Sequence, residues 1–429
     1  MKKQSAYVFK KVVVRDPKST WHNQKVDIQV EHGVIVKIAE DIAVSDSADA
    51  VVFDKDKLLE VNVMPGWVDP HVEGGEPGFE ARETLISLSK AAVHGGFTAL
   101  GMMPNVKPIT NTVEHLRSLQ HLSANLEVNV IPHVALTDKD GGPSPVYEMR
   151  DAGAALFTNG FQAYLEEAQW ITTMQYGNAA GIRTARSIYN PSLVQEGIVY
   201  DSVFSSGLGL PTIPNIAESY SIQQLLSLHE YTGGKLHLLC LTNPESVKLW
   251  EQAQKKDPGL SYAVGIPYLL YNEEALKDFD SQYKVFPPWQ NSAVQKKLND
   301  VVMSKDFMGM LTTYHQPRTI EEKQVELGYA LPGMATLDYG VIDWLSEMVE
   351  LDYDHLTEIL SRRARGILGL DEALIQEGSM ADFTFLAQGK EKMPRKEARS
   401  SAFNVNLHSA YSKWSVEGVV VNGKFHSND

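Results

Sequence analysis

The residues best placed to do chemistry open in the segment VMPGWVDPHVEGGEPGFEARET, Val63 to Thr84. His71 and Glu73 stand two apart in an apolar run that reads as a β-strand, where side chains at i and i+2 leave the same face. An imidazole and a carboxylate on one face can grip a divalent cation or relay a proton. A carboxylate aimed into a protein interior needs donors or a cation, so Glu73 demands a partner. A histidine without further ligands is ordinarily a hydrogen-bonded core residue, and that reading suits His71. Cys240, the single cysteine, lies in the apolar run of HLLCLTNPES and reads as a small buried hydrophobe rather than a reactive thiol. His94, His133, His229 and His237 show no spacing typical of a metal site.

The elements that must carry these residues fall into two styles. The first sixty residues alternate in short apolar pieces, Tyr7 to Val14, Val26 to Val30 and Val34 to Ile38, separated by turn-rich segments, which is a β pattern. The last sixty repeat it, and Asn422-Gly423 is a strong hairpin signal. Between about Val63 and Leu370, strand-like runs alternate with helical ones. Ala217 to Tyr231 has helical spacing and stops at Gly233-Gly234, Leu236 to Leu241 reads as a strand buried on both faces, Pro244 opens the next helix, and Tyr262 to Pro267 reads as another strand. Such alternation favours a parallel barrel or a doubly wound sheet. The charged stretch Lys390 to Ser401, KEKMPRKEARSS, reads as a solvated loop.

The formal net charge of −15 repels phosphate backbones and anionic lipid, so neither nucleic acid nor membrane is expected as a partner. One cysteine rules out an internal disulfide and suits a cytoplasmic location; charged residues interrupt the amino-terminal apolar stretch before it reaches signal-peptide length.

The segment from Val63 resembles the PGxxDxHxH strand of amidohydrolases, and Glu76-Pro77-Gly78 extends the likeness to the HLREPG of dihydroorotases. Ala91 to Thr112, with Met103-Pro104-Asn105, is similar to a dihydroorotase segment ending MPNTKPVTDT. LGLPTIPNIAES, HLLCLTNPES, YKVFPPWQ, TTYHQPRTIEEK and EGSMADFTF follow in family order. The resemblance implies an amidohydrolase-type (β/α)8 TIM barrel over residues 63–370, with a small β-sandwich domain assembled from residues 1–62 and 371–429.

It also implies a metal site that has decayed. Of up to six family ligand positions, His71 keeps the first and Glu73 replaces a histidine at the second. Thr158 and Asn159 stand where a bridging lysine or aspartate belongs, Ser187 replaces a histidine with Tyr189 in the place of a nearby glutamate, Cys240 replaces a histidine, and Tyr314 replaces an aspartate. Substrate positions decay alongside. The carboxylate-gripping arginine is Gly75, an asparagine and an arginine further on are Phe286 and Gln290, and one histidine is Arg318, whereas Asn105 and His315 are retained. Tyr189, Phe286 and Tyr314 are each bulkier than what they replace, so their rings are expected to fill part of the old pocket.

Losing most of a first coordination shell should abolish metal binding. The expected cofactor set is therefore empty, the alternative being one zinc rebuilt on His71, Glu73 and Cys240. The expected function is a non-catalytic dihydroorotase-like assembly subunit, self-associating and partnered by aspartate carbamoyltransferase as the resemblance implies. An active cyclic-amide hydrolase with a rebuilt metal site is the alternative, and a metal-free small-molecule binder using Asn105 and His315 is a third reading.

Overall fold

The computed structural model describes residues 6–428 except 45–47, 55, 139–140, 162–163, 189 and 406–407. Tyr189, and with it one of the three rings expected in the pocket, lies outside the described residues.

Eight parallel strands build the central barrel: Trp67–Val72, Phe97–Met102, Asn129–Pro132, Leu156–Phe157, Arg183–Arg186, Lys235–Leu241, Leu260–Gly265 and Met310–Thr312. They pair as a three-stranded and a five-stranded sheet. One seam is closed where Val134 bridges Phe157, with Val134 N donating to Leu156 O at 3.1 Å. The other closes between the first and eighth strands. There Glu73 N donates to His315 O at 2.9 Å, and the buried Asp69 carboxylate accepts from Thr312 Oγ1 at 2.7 Å and from Thr313 N at 2.8 Å. Burial pushes the Asp69 carboxyl up, and these donors act against that shift. The aspartate of the PGxxDxH pattern is thus a brace holding the barrel shut at the level of the site.

Local signals set the elements as the chain pattern implies. The helix Leu85–Gly95 starts on a Thr84–Ser87 capping box, and Gly96 leaves it at φ +92°. Ala217–Thr232 ends on Gly233 and Gly234 at φ +64° and +99°, and Asn243 and Pro244 start the helix Pro244–Gln254. The strand expected at Tyr262 to Pro267 stops at Gly265, because Pro267, preset for a first helical turn, opens the short helix Pro267–Leu270.

The terminal segments form one eight-stranded sheet, not two separately paired ones. Ala6–Val14 is its hub, pairing with Lys25–Glu31, with Asp49–Val51 and with Leu58–Pro65. Leu58–Pro65 in turn pairs with Phe383–Pro394, so both ends of the chain meet in one sheet. Phe425, on the far edge strand Lys424–Ser427, nevertheless sits 5.4 Å from Phe9 in ring centroids. A flat sheet with strands about 4.8 Å apart would hold them far from each other. The sheet therefore folds over its own apolar core of Phe9, Ile28, Val63 and Phe385, which gives the packed layers of a sandwich from continuous pairing.

Residues 390–401 are largely exposed, as expected, but only the part after Pro394 is a loop. Lys390 to Pro394 continue a strand, and the next residues strap onto the barrel: Arg399 N and Ser400 N donate to Asp338, and Ser401 N donates to Glu83. Composition caught the exposure but not the anchoring, because the strap is held through its backbone and hydroxyls, which a charge count ignores. Among the described residues, no helix is long and apolar enough to cross a membrane.

Candidate functional site

His71 leaves the first strand into a fully buried interior. Its Nε2 lies 2.7 Å from Nε2 of His237 on the sixth strand, whose Nδ1 lies 2.8 Å from Ser261 Oγ. Burial, reinforced for His71 by the neighbouring imidazoles, pushes both rings well below the usual histidine range. Two neutral imidazoles must therefore share one N–H, and that contact occupies the His71 nitrogen. His133 Nε2 donates to Pro70 O at 2.8 Å, and burial lowers this ring to about 4. His71 is thus a hydrogen-bonded core histidine, braced by a partner whose role the sequence did not reveal.

Glu73 follows the end of the strand and turns to a different partner. Its Oε2 accepts from Arg318 NH1 at 2.6 Å, with 14% and 8% of the two side chains exposed. Arg318 spends its other donors on Pro332 O at 2.8 Å, Pro317 O at 2.8 Å and Gln316 Oε1 at 3.2 Å. The cation that Glu73 requires is thus supplied by another replaced position of the same chain. Each substitution could be read in the sequence separately, and their opposite signs were the clue that joined them.

The remaining positions are spent in a similar way. Asn159 Oδ1 accepts from Leu136 N at 2.9 Å and its Nδ2 donates to Thr137 Oγ1 at 3.1 Å, stapling the fourth strand to the loop after the third. Thr158 Oγ1 accepts from Gly160 N at 3.1 Å, and Ser187 Oγ reaches Gly160 O at 3.4 Å. Cys240 is 2% exposed, and burial pushes its thiol well up, away from the thiolate a metal would take. Tyr314 adopts a left-handed φ of +55° and lays its ring 4.4 Å from Phe161 in centroids and 6.1 Å from Tyr268. For a non-glycine residue that backbone costs on the order of 1 kcal/mol, which the ring packing offsets.

Of the retained substrate positions, Asn105 donates to Asn159 O at 3.2 Å and covers Gly160, where an added Cβ would lie 1.8 Å from Asn105 Oδ1. His315 is fully buried. Its Nδ1 accepts from Thr336 N at 3.1 Å and Leu337 N at 3.2 Å, and its Nε2 points to Glu83 3.6 Å away. Burial tends to raise the Glu83 carboxyl, but the facing His315 imidazole and hydrogen bonds from Ser400 and Ser87 hold it below the usual range. Gln290 Nε2 donates to Thr242 Oγ1 at 3.2 Å. Gly75 is enclosed by backbone: a Cβ there would lie 2.2 Å from Glu83 O and 2.4 Å from Phe79 O. An arginine at that position would have no room to leave the chain.

The rings expected to fill the pocket behave differently from one another. Tyr314 packs inward as described. Phe286 instead joins a separate cluster of Val194, Tyr200, Ile213 and Ala217, and lines an open groove of about 610 Å³. Where the former positions Thr158, Asn159 and Ser187 meet, the remaining cavity is about 10 Å³, no more than about one water can enter. A zinc does not fit this donor set. Its ligands must be deprotonated and convergent, whereas Glu73 is paired with a guanidinium, Cys240 is held as a thiol and His71 faces another imidazole. Among the described residues, no group of three or more His, Cys, Asp or Glu side chains is placed to hold a metal ion.

Comparison with known proteins agrees with the architecture and its lineage. A family model described as dihydro-orotase-like matches residues 61–246. The chain is 28% identical to a dihydroorotase of Listeria monocytogenes over 391 residues, 90% of each protein, and 27% identical to a dihydroorotase of Acetivibrio thermocellus over 96% of each. Among solved structures it is similar to the L-hydantoinase (dihydropyrimidinase) of Arthrobacter aurescens, with a TM-score of 0.82 at 20% identity over 98% of this chain and 96% of that one. It is also similar to a D-hydantoinase of Thermus sp., with a TM-score of 0.79 at 18% identity over 99% and 95%. With its landmarks in order from the first barrel strand to the closing sheet, the chain is similar to dihydroorotases over most of its length and shares the fold of the hydantoinases.

Proposed function

We propose that this protein is a non-catalytic dihydroorotase-like subunit of pyrimidine metabolism, carrying no catalytic metal and retained for assembly. One observation carries the reading: the carboxylate at the second ligand position is neutralised by the guanidinium of Arg318, which stands where a substrate-binding histidine belongs. A charge from the chain itself takes the part of the metal's charge, and neither open coordination position nor activated water follows from it. Loss of the arginine at Gly75 and the enclosure of His315 leave the substrate carboxylate without a cation.

A barrel preserved without its chemistry is useful as a surface, and the family resemblance makes aspartate carbamoyltransferase the expected partner of a homo-oligomer. The test is purification from the native host under metal-free buffers, followed by metal analysis, a dihydroorotate assay and identification of co-purifying chains. The expected outcome is a carbamoyltransferase in stable proportion, with substoichiometric zinc and no ring opening of dihydroorotate. Stoichiometric zinc together with turnover would replace this reading by that of an active cyclic-amide hydrolase.

A further inference from the structure

A cleft of about 290 Å³ opens between the barrel and the terminal sheet, and none of the former ligand positions lines it. His94, from the end of the helix Leu85–Gly95, and Asp338 and Tyr339, from the segment after the eighth strand, form one side. Arg395, Lys396 and Trp414, from the terminal sheet and its strap, form the other. We propose that this cleft binds a small carboxylate with a compact apolar body.

The proposal rests on hydrogen-bond accounting, since buried polar groups are normally paired. The acceptors here are already engaged, including the outer carboxylates: Asp54 Oδ1 accepts from Asp56 N at 2.9 Å and Glu417 Oε1 from Ser415 Oγ at 2.6 Å. Asp338 Oδ1 accepts from Arg399 N at 2.6 Å and Oδ2 from Ser400 N at 3.2 Å. Asp343 takes the NH2 end of Arg395 and the amide of His408 at 3.1 Å, and Tyr339 donates to Lys396 O at 2.7 Å.

Donors, in contrast, are left over. Among the described residues, Arg395 Nε is buried without a partner, and its NH1 reaches only Trp414 O at 3.5 Å. His94 Nδ1 lies 3.2 Å from Asp338 Oδ1 but is not aligned for a hydrogen bond. Lys396 Nζ has Asn428 O at 2.5 Å as its one partner among the described residues, although an ammonium carries three donors. A site with surplus cationic donors and satisfied acceptors calls for an acceptor-only ligand group, which is what a carboxylate is.

The body of the ligand follows from the other lining residues. Trp414, Ile342, Met393 and Val416 offer apolar contact, and the volume sits at the lower limit of about 300 Å³ for small-molecule pockets. Burial pushes the Tyr339 hydroxyl up to about 12, so the cleft is desolvated enough to strengthen a charge-assisted contact. Junctions between structural units are also where such pockets concentrate.

The test is titration calorimetry on the full chain with benzoate and nicotinate against their uncharged counterparts benzamide and nicotinamide. One carboxylate should bind per chain, with the amides at least about tenfold weaker. Arg395→Gln should weaken benzoate about tenfold or more. Because that change also removes the partner of Asp343, Lys396→Gln at the rim is the second variant, expected to weaken binding about threefold while melting like the wild type. Cys240→Ala, in the barrel interior, should leave the affinity unchanged. Absence of saturable benzoate binding, equal binding of benzamide, or loss of binding with Cys240→Ala instead of the two cleft variants would overturn the proposal.

Discussion

If the pair of Glu73 and Arg318 has taken the place of the metal as the source of positive charge, removing the guanidinium should be costly and removing both charges much less so. Arg318→Met keeps much of the apolar stem and deletes a cation that donates to one carboxylate, two carbonyls and a side-chain amide. Breaking one half of a buried ion pair costs about 3–5 kcal/mol, and with 14% of Glu73 still exposed the lower end applies, about 3 kcal/mol. Glu73→Gln keeps shape and one acceptor while losing the charge, for about 1.5–2 kcal/mol. Since Arg318→Met strands a carboxylate that Glu73→Gln would neutralise, the double variant should fall short of the sum by about 1–3 kcal/mol. Urea denaturation reads this directly, through midpoints at unchanged m. Additivity within about 0.5 kcal/mol would refute the coupling. The same reasoning covers the attempt to restore a metal: Glu73→His with Arg318→His returns two imidazoles, yet Asn159, Ser187, Cys240 and Tyr314 keep their present partners, so zinc should remain substoichiometric after dialysis. Stoichiometric zinc in that variant would show that the charge pair alone had displaced the metal.

Gly75→Arg should destabilise by more than about 2 kcal/mol without conferring dihydroorotate binding, because its Cβ would meet Glu83 O at 2.2 Å; calorimetry and a urea curve check both halves. Cys240 should resist thiol reagents at pH 8 in the native state and react at once in denaturant, since burial keeps it both covered and protonated. Lys323 is fully buried, donates to Ser281 O at 3.0 Å and Lys284 O at 2.9 Å, and burial lowers it to about 7. Unfolding returns it to about 10.5, so between pH 7 and 9.5 the unfolded chain holds the extra proton and stability rises with pH, by up to about 1.4 kcal/mol per unit. Below pH 7 both states are protonated and this slope vanishes. Lys323→Met should remove the rise; an unchanged slope in that variant would show that Lys323 is not its source.

Much of the architecture could be read from periodicity. The hairpin at Asn422-Gly423 is present with φ of +50° and +76°, and the helix ending at Gly233-Gly234 ends there. These are local signals, set by residues within one turn of each other. What the sequence hid is relational. His71 and Glu73 were expected to project together, but the strand ends at Val72 and their partners, His237 and Arg318, come from the sixth strand and from beyond the eighth. Nothing in the spacing of residues 71 and 73 reports which distant side chain will meet them. The anchoring of Lys390 to Ser401 was hidden for the same reason, since its hydroxyls and amides find Glu83 and Asp338 only once the barrel exists.

On the proposed reading, decay of the site is a redistribution of hydrogen bonds and charge, which is how the barrel would survive it. A carboxylate or imidazole left in a buried mouth without its metal would cost several kcal/mol as an unpaired group, enough to threaten a fold of ordinary stability. Here the donors and acceptors at the former positions are reassigned: Glu73 to Arg318, Asn159 to Leu136 and Thr137, and His315 to the amides of Thr336 and Leu337. Each of these contacts stabilises the mouth in its present geometry, so the positions are coupled, and changing one of them alone strands the partner it now serves. If the chain is non-catalytic as proposed, turnover should not return with one substitution, and a single-residue variant that turned over dihydroorotate would contradict that coupling.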